Sequence, residues 1–242
     1  MTEQIVNFAL LGAEWVMYLL VALSVLSVAV MVERGMFFKR RSTRQDALLE
    51  LATRAIRDDD TATFDKGFGD SEAMAVEVAR AGIAQRKSGV DAASEAMNAA
   101  KLRSQDDYEQ RLVVLGTLGN NAPFIGLFGT VLGIIQAFAD LQKDPTGGIN
   151  AVMGSTSEAL AATAVGILVA IPAVVAFNTF NRITRSHQAG ADAVAHAILG
   201  AMHAGAAASP AESKAKKEDS KAKNKGKASD DAGKKADKKD ND

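Results

Sequence analysis

Two hydroxyls and one carboxylate stand where an oily helix does not need them. The stretch SEALAATAVGILVAIP, residues 157–172, opens with Glu158 and carries Thr163 further in. A second apolar stretch, GTLGNNAPFIGLFGTVLG, residues 116–133, carries Asn120, Asn121 and Thr130. A hydroxyl at depth in lipid can line an ion path, or it can bond its own helix carbonyl and do nothing else. Glu158 and Thr163 are separated by about 140° on an ideal helix, so they do not share a face. Glu158 reads as a rim or intersubunit group. It also reads as an acid favouring the positive end of a helix capped by Ser155, Thr156 or Ser157. Thr163 pairs better with Thr130. With outer boundaries near Leu141 and Ser155, the two hydroxyls lie roughly 16 and roughly 12 Å deep. Turned to a common lumen, they form a polar ring.

The elements that must position them are membrane spans. A spanning helix needs about 20 apolar residues, and three stretches supply them. Residues 15–33 form the first, with Trp15 and Tyr18 suited to one interface. Residues 112–141 form the second, with Pro123 inside. Residues 155–181 form the third. The expected fold is an all-α integral membrane protein with three transmembrane helices and long helical cytoplasmic extensions. Residues 1–14 are a periplasmic leader; Glu3 and Glu14, with no Lys or Arg, argue against a signal peptide. Residues 142–154 are a periplasmic loop marked by Asp144-Pro145 and Gly147-Gly148. Basic residues cluster after the first span (Arg34, Lys39, Arg40, Arg41, Arg44), before the second (Lys101, Arg103, Arg111) and after the third (Arg182, Arg185). That bias puts the N-terminus outside and the C-terminus in the cytoplasm.

The cytoplasmic region, 34–111, has good helix formers and an amphipathic stripe at Ala47, Leu48, Leu51, Ala55 and Ile56. Arg57-Asp58-Asp59-Asp60 and the glycines of residues 65–70 break it. Ser71 is placed to cap a second helix that runs to about Lys87, and Ser88-Gly89 ends that one. From Asp91 the helical pattern runs unbroken into the second span, a rod of about 70 Å. Residues 182–205 extend the third span's helix. Residues 206–242 contain no aromatic or large aliphatic side chain and are expected to be disordered. Their lysines are interleaved with acids, and the whole chain carries a net charge of -1, so nucleic acid is not an expected partner. The lipid bilayer is. With no cysteine, disulfides, thiolate metal sites and cysteine nucleophiles are excluded; no cofactor is expected.

Small residues recur at helical spacing in both later spans: Gly116, Gly119, Gly126, Gly129 and Gly133, then Ala159, Ala162, Gly166, Ala170 and Ala173. Such faces let helices approach closely in lipid. They account for most of these positions as packing and imply further assembly. Asn120 and Asn121, near the cytoplasmic end, read as interhelical glue or as pore-side groups.

No Asp, Glu, His, Lys or Arg lies in the middle of any span. A proton carrier needs an ionisable group at depth, so a proton path through this chain takes its titrating group from another polypeptide.

The segments APFIGLFGTVLGIIQAF (122–138) and SEALAATAVGILVAIPAVVAFN (157–178), with ERGMFF (33–38) after the first span, closely resemble the MotA/TolQ/ExbB proton channel family, in particular its ExbB/TolQ branch. Leu132 follows GTV where many ExbB proteins carry tryptophan. The resemblance implies a homopentamer in the bacterial inner membrane, around the single spans of an ExbD/TolR-like dimer that supplies an aspartate. It implies that Thr130 and Thr163 line the ion pathway and that Glu158 stands at the start of the third span. The function it implies is the channel-forming stator subunit of a proton-driven motor, not an enzyme, working on TonB-, TolA- or gliding-type clients. The rival reading is a non-conducting scaffold that organises partners through its cytoplasmic helices.

Overall fold

A computed structural model describes residues 14–143 and 148–236. Among these residues the regular structure is entirely helical: α1 (Glu14–Arg40), α2 (Gln45–Arg57), α3 (Thr61–Phe68), α4 (Met74–Ala84), α5 (Val90–Glu109), α6 (Leu112–Lys143) and α7 (Gly148–Ala236). Three stretches long and apolar enough to cross a membrane fall within α1, within Val90–Gln142 and within Val152–Gly205. The leader up to residue 13, residues 144–147 of the expected loop and residues 237–242 lie outside the described residues.

The helices sort into two units. The first holds the described part of Met1–Thr43 with Glu72–Met74 and Lys101–Gly190. Its core packs α1, α6 and α7 through Val16, Leu20, Ala122, Leu132, Val169 and Ala170, with Trp15, Ile125 and Val165 against them. Large apolar side chains point outward all the same: Phe124 and Phe138 are each 68% exposed and Leu168 70%. A water-soluble bundle does not display such faces; lipid or neighbouring chains must cover them.

The second unit holds Arg44–Ser71, Ala75–Ala100 and the described chain from Ala191. Leu48, Ala52 and Ala55 of α2 are buried, as are Phe64 of α3, Val76 and Ile83 of α4, Met97 of α5, and Val194 and Ile198 of α7. Gly82 permits one close approach, since a Cβ there would stand 2.6 Å from Met97 Sδ and 3.2 Å from Ile198 Cγ2.

Three local expectations need correction. The acidic run after α2 is not simply a break. Asp58 closes α2 with its N–H on the Arg54 carbonyl, Asp59 turns the chain at φ 53°, and the Asp60 carboxylate accepts from Thr63 N at 3.1 Å to start α3. The helix expected to run to about Lys87 ends at Ala84, and turns continue to Ser88. The rod expected from Asp91 into the second span is interrupted. α5 closes at Glu109, Arg111 adopts φ 64°, and α6 begins at Leu112. The backbone of α7 is described as far as Ala236.

Candidate functional site

The glycines of the second span meet the third span directly. A Cβ on Gly126 would stand 2.8 Å from the Ala162 carbonyl oxygen and 3.0 Å from Thr163 Cα. One on Gly166 would stand 2.7 Å from the Ala122 carbonyl oxygen and 3.1 Å from Gly126 Cα. Gly129 faces Ala162 and Val16; Gly133 faces Ala159 and Ser155. Gly126 and Gly166 meet backbone, Gly129 and Gly133 meet chiefly the Cβ atoms of Ala162 and Ala159, and together they form a seam along α6 and α7. Ala159, Ala162, Ala170 and Ala173 are buried on the same helix as Gly166.

The seam sets the height of the two threonines. Residue numbers rise along α6 as they fall along α7, so the helices are antiparallel. Gly129 lies level with Ala162, which brings Thr130 and Thr163 within about 3 Å of one height. Their hydroxyls do different things. Thr130 donates to the Leu127 carbonyl at 2.7 Å. Thr163 Oγ1 is buried and has no hydrogen-bond partner among the described residues. A buried hydroxyl without a partner costs free energy unless water, an ion or another chain satisfies it.

Glu158 is not at a helix start. α7 begins at Gly148, so the reading in which Ser155, Thr156 or Ser157 caps the helix falls. Ser157 instead donates to the Met153 carbonyl at 2.8 Å, as a residue within a helix does. Glu158 is half-buried. Asn120 and Asn121 are exposed; the Asn121 side-chain amide donates to the Thr117 carbonyl at 2.8 Å. Pro123 lies inside α6.

Two further hydroxyls escaped the sequence reading. Ser27 in α1 is 2% exposed and Thr184 in α7 is 3% exposed, and neither side-chain oxygen has a partner among the described residues. A serine in an otherwise apolar run is the signal that marked Ser27; serine is small enough to pass for a packing residue.

A polar and aromatic clamp lies at the Arg34 end of α1. Arg34, 1% exposed, donates from Nη1 to the Asp107 carbonyl at 2.8 Å and lies 4.7 Å from the Phe37 ring centroid. Desolvation lowers the pKa of its guanidinium, and neighbouring Glu33 works against that. Arg111 reaches Glu33 at 3.1 Å. Arg41 pairs with Glu72 at 3.1 Å and stacks 4.5 Å from the Phe37 centroid. Phe38 stacks on Phe180 at 5.4 Å and on His187 at 6.2 Å, with Tyr108 at 5.2 Å from the same imidazole. Burial among these rings pushes the His187 pKa below its ordinary value. No group of three or more His, Cys, Asp or Glu side chains placed to hold a metal occurs among the described residues.

Comparison with known proteins agrees with this architecture. Residues 70–192 match the family described as MotA/TolQ/ExbB proton channel family. The Tol-Pal system protein TolQ of Pseudomonas aeruginosa is 31% identical over 191 residues, 73% of this chain and 81% of that protein. The biopolymer transport protein ExbB of Neisseria gonorrhoeae is 46% identical over 89 residues, 37% of this chain and 40% of that protein. The ExbB of Xanthomonas campestris pv. campestris is 38% identical over 115 residues, 48% of this chain and 46% of that protein. The chain thus spans less than half the length of these two ExbB relatives. It spans most of TolQ, and the seam of α6 and α7 lies within residues 70–192. This chain therefore belongs to the MotA/TolQ/ExbB proton channel family and is a membrane protein.

Proposed function

We propose that this chain is the channel-forming stator subunit of a proton-motive-force-driven motor in the bacterial inner membrane. The observation that carries the reading is the buried, unpartnered hydroxyl of Thr163 beside the Gly126/Gly166 crossing, close in height to Thr130. A hydroxyl left without a protein partner at a close helix crossing suits water or an ion passing along the third span. The middle of each span carries no ionisable side chain, so the proton's main stop belongs to a second polypeptide. An ExbD/TolR-like dimer with an aspartate in its single span meets that need, enclosed by a pentamer of this chain whose exposed apolar faces require neighbours. Glu158 takes the rim or an intersubunit contact.

The basic residues flanking the spans orient the N-terminus outward and the C-terminus inward. Each elementary charge crossing 100 mV releases about 2.3 kcal/mol, which the inner helices would turn into motion and hand to an envelope client. The names of the relatives, biopolymer transport for ExbB and the Tol-Pal system for TolQ, support a client of the TonB or Tol type; gliding motility is a third.

The test is a pair of variants in the native host. Thr163→Val and Thr130→Val are expected to abolish client-dependent work while the partner still co-purifies. Full activity in both variants overturns the pore assignment.

A further inference from the structure

The second unit contains a cleft of about 590 Å³ for which the ion path has no use. That volume falls within the span of small-molecule sites, about 300–1,000 Å³. Its inner wall is aliphatic, from Ile56, Val90, Ala201 and Met202, and no aromatic side chain lines it among the described residues.

Its rim is cationic. Among the described residues, Arg57, Arg86 and Lys87 share it with a single carboxylate, Asp59. Arg86 holds one oxygen of that carboxylate through Nε and Nη2, each at 2.5 Å. Lys87 Nζ forms a looser ion pair with the other oxygen, at 3.6 Å. Arg57 is exposed, with no ion pair to a described residue. One acid therefore faces two cations, Arg86 and Lys87, and Arg57 adds a third, so the described rim carries three positive charges against one negative. The backbone adds to this. Gly89 turns into α5 at φ 102°, a conformation that favours glycine. It brings the amino end of α5, with its unsatisfied N–H groups, to the cleft wall.

A cationic rim over an aliphatic wall is built for a ligand of two parts. We propose that this cleft binds an amphiphilic phosphate, its alkyl or acyl chain on Ile56, Val90 and Met202 and its phosphate held by Arg57, Lys87 and the amino end of α5. A nucleotide fits less well, since the wall offers no ring for a base to stack on. Inorganic phosphate alone leaves the wall unused. A membrane lipid and a soluble alkyl phosphate share the chemistry.

The test uses the full chain in phosphatidylcholine nanodiscs, titrated calorimetrically with dodecyl phosphate below its micellar concentration, then with butyl phosphate and inorganic phosphate. Partition into disc lipid does not saturate and is the same for every variant. The expected result is a saturable component at least tenfold tighter for dodecyl than for butyl phosphate. Arg57→Gln combined with Lys87→Gln should weaken it at least tenfold; Lys66→Gln, outside the cleft, should leave it unchanged. If the double variant melts early, Arg57→Gln alone, at an exposed position, carries the comparison. The proposal is overturned by the lack of a saturable component, by equal affinity in the rim variants, or by inorganic phosphate binding as tightly as dodecyl phosphate. Preferential binding of poly-glutamate also overturns it and gives the cleft to an acidic protein. Discs containing phosphatidylglycerol separate the two sources. Suppressed dodecyl phosphate binding identifies a membrane lipid and undiminished binding a soluble one, and either result supports the proposal.

Discussion

At Thr163 a single oxygen separates a packing residue from a pore residue. Valine keeps the shape of threonine and removes the hydroxyl; serine keeps the hydroxyl and removes a methyl. Thr163→Ser is therefore expected to retain motor output where Thr163→Val loses it, read as client-dependent growth at matched protein levels. Equal loss in both would make the side chain's shape the important quantity. Arg34 is a structural counterpart. Its buried guanidinium donates to the Asp107 carbonyl and lies over Phe37, so Arg34→Ala should cost about 3 kcal/mol of stability, measurable by denaturant unfolding in detergent. His187 gives a pH prediction. Its folded pKa lies below the ordinary 6.5 because burial opposes the charged form. The unfolded chain therefore takes up the proton first as pH falls. The stability owed to neutral His187 is complete above that ordinary value and drains as pH falls toward the folded one. Thermal melting of wild type against His187→Phe should show the variant losing less over the acid side of neutrality.

Among the helices, the seam between α6 and α7 makes the sharper prediction. Gly166→Ala drives a methyl toward the Ala122 carbonyl and Gly126 Cα, backbone that cannot yield without parting the helices. Loss of assembled complex on native gels is the expected outcome. Gly200→Ala meets nothing within 4 Å and should stabilise by about 1 kcal/mol through helix propensity. The seam was legible beforehand because small residues at spacings of three and four have few other uses in lipid. Local chain reversals were much less so. An arginine at φ 64° leaves no mark in sequence, since glycine is the usual tenant of that region. Asp58, Asp59 and Asp60 read as one polar break, although they end one helix, turn the chain and begin the next. Near the membrane the misplaced start of α7 had the largest effect. Ser155, Thr156 and Ser157 look like caps, yet they lie within a helix whose beginning, Gly148, is a residue that propensity would assign to a loop.

For the molecule as a whole, topology can be tested with little background because the chain has no cysteine. In cells with a permeabilised outer membrane, a membrane-impermeant maleimide should label Gln142→Cys. It should reach Ser88→Cys only after the inner membrane is breached. The reverse pattern would invert the proposed orientation. A last consequence comes from the interruption at Gln110 and Arg111. In an unbroken rod, inserting one residue swings everything beyond it by about 100°. Here the ladder of i to i−4 bonds stops with α5 and restarts with α6, so the azimuth of one helix does not dictate that of the next. The glycine seam can hold the spanning helix at one angular setting while α5 takes its own from the clamp of Arg34 and Tyr108.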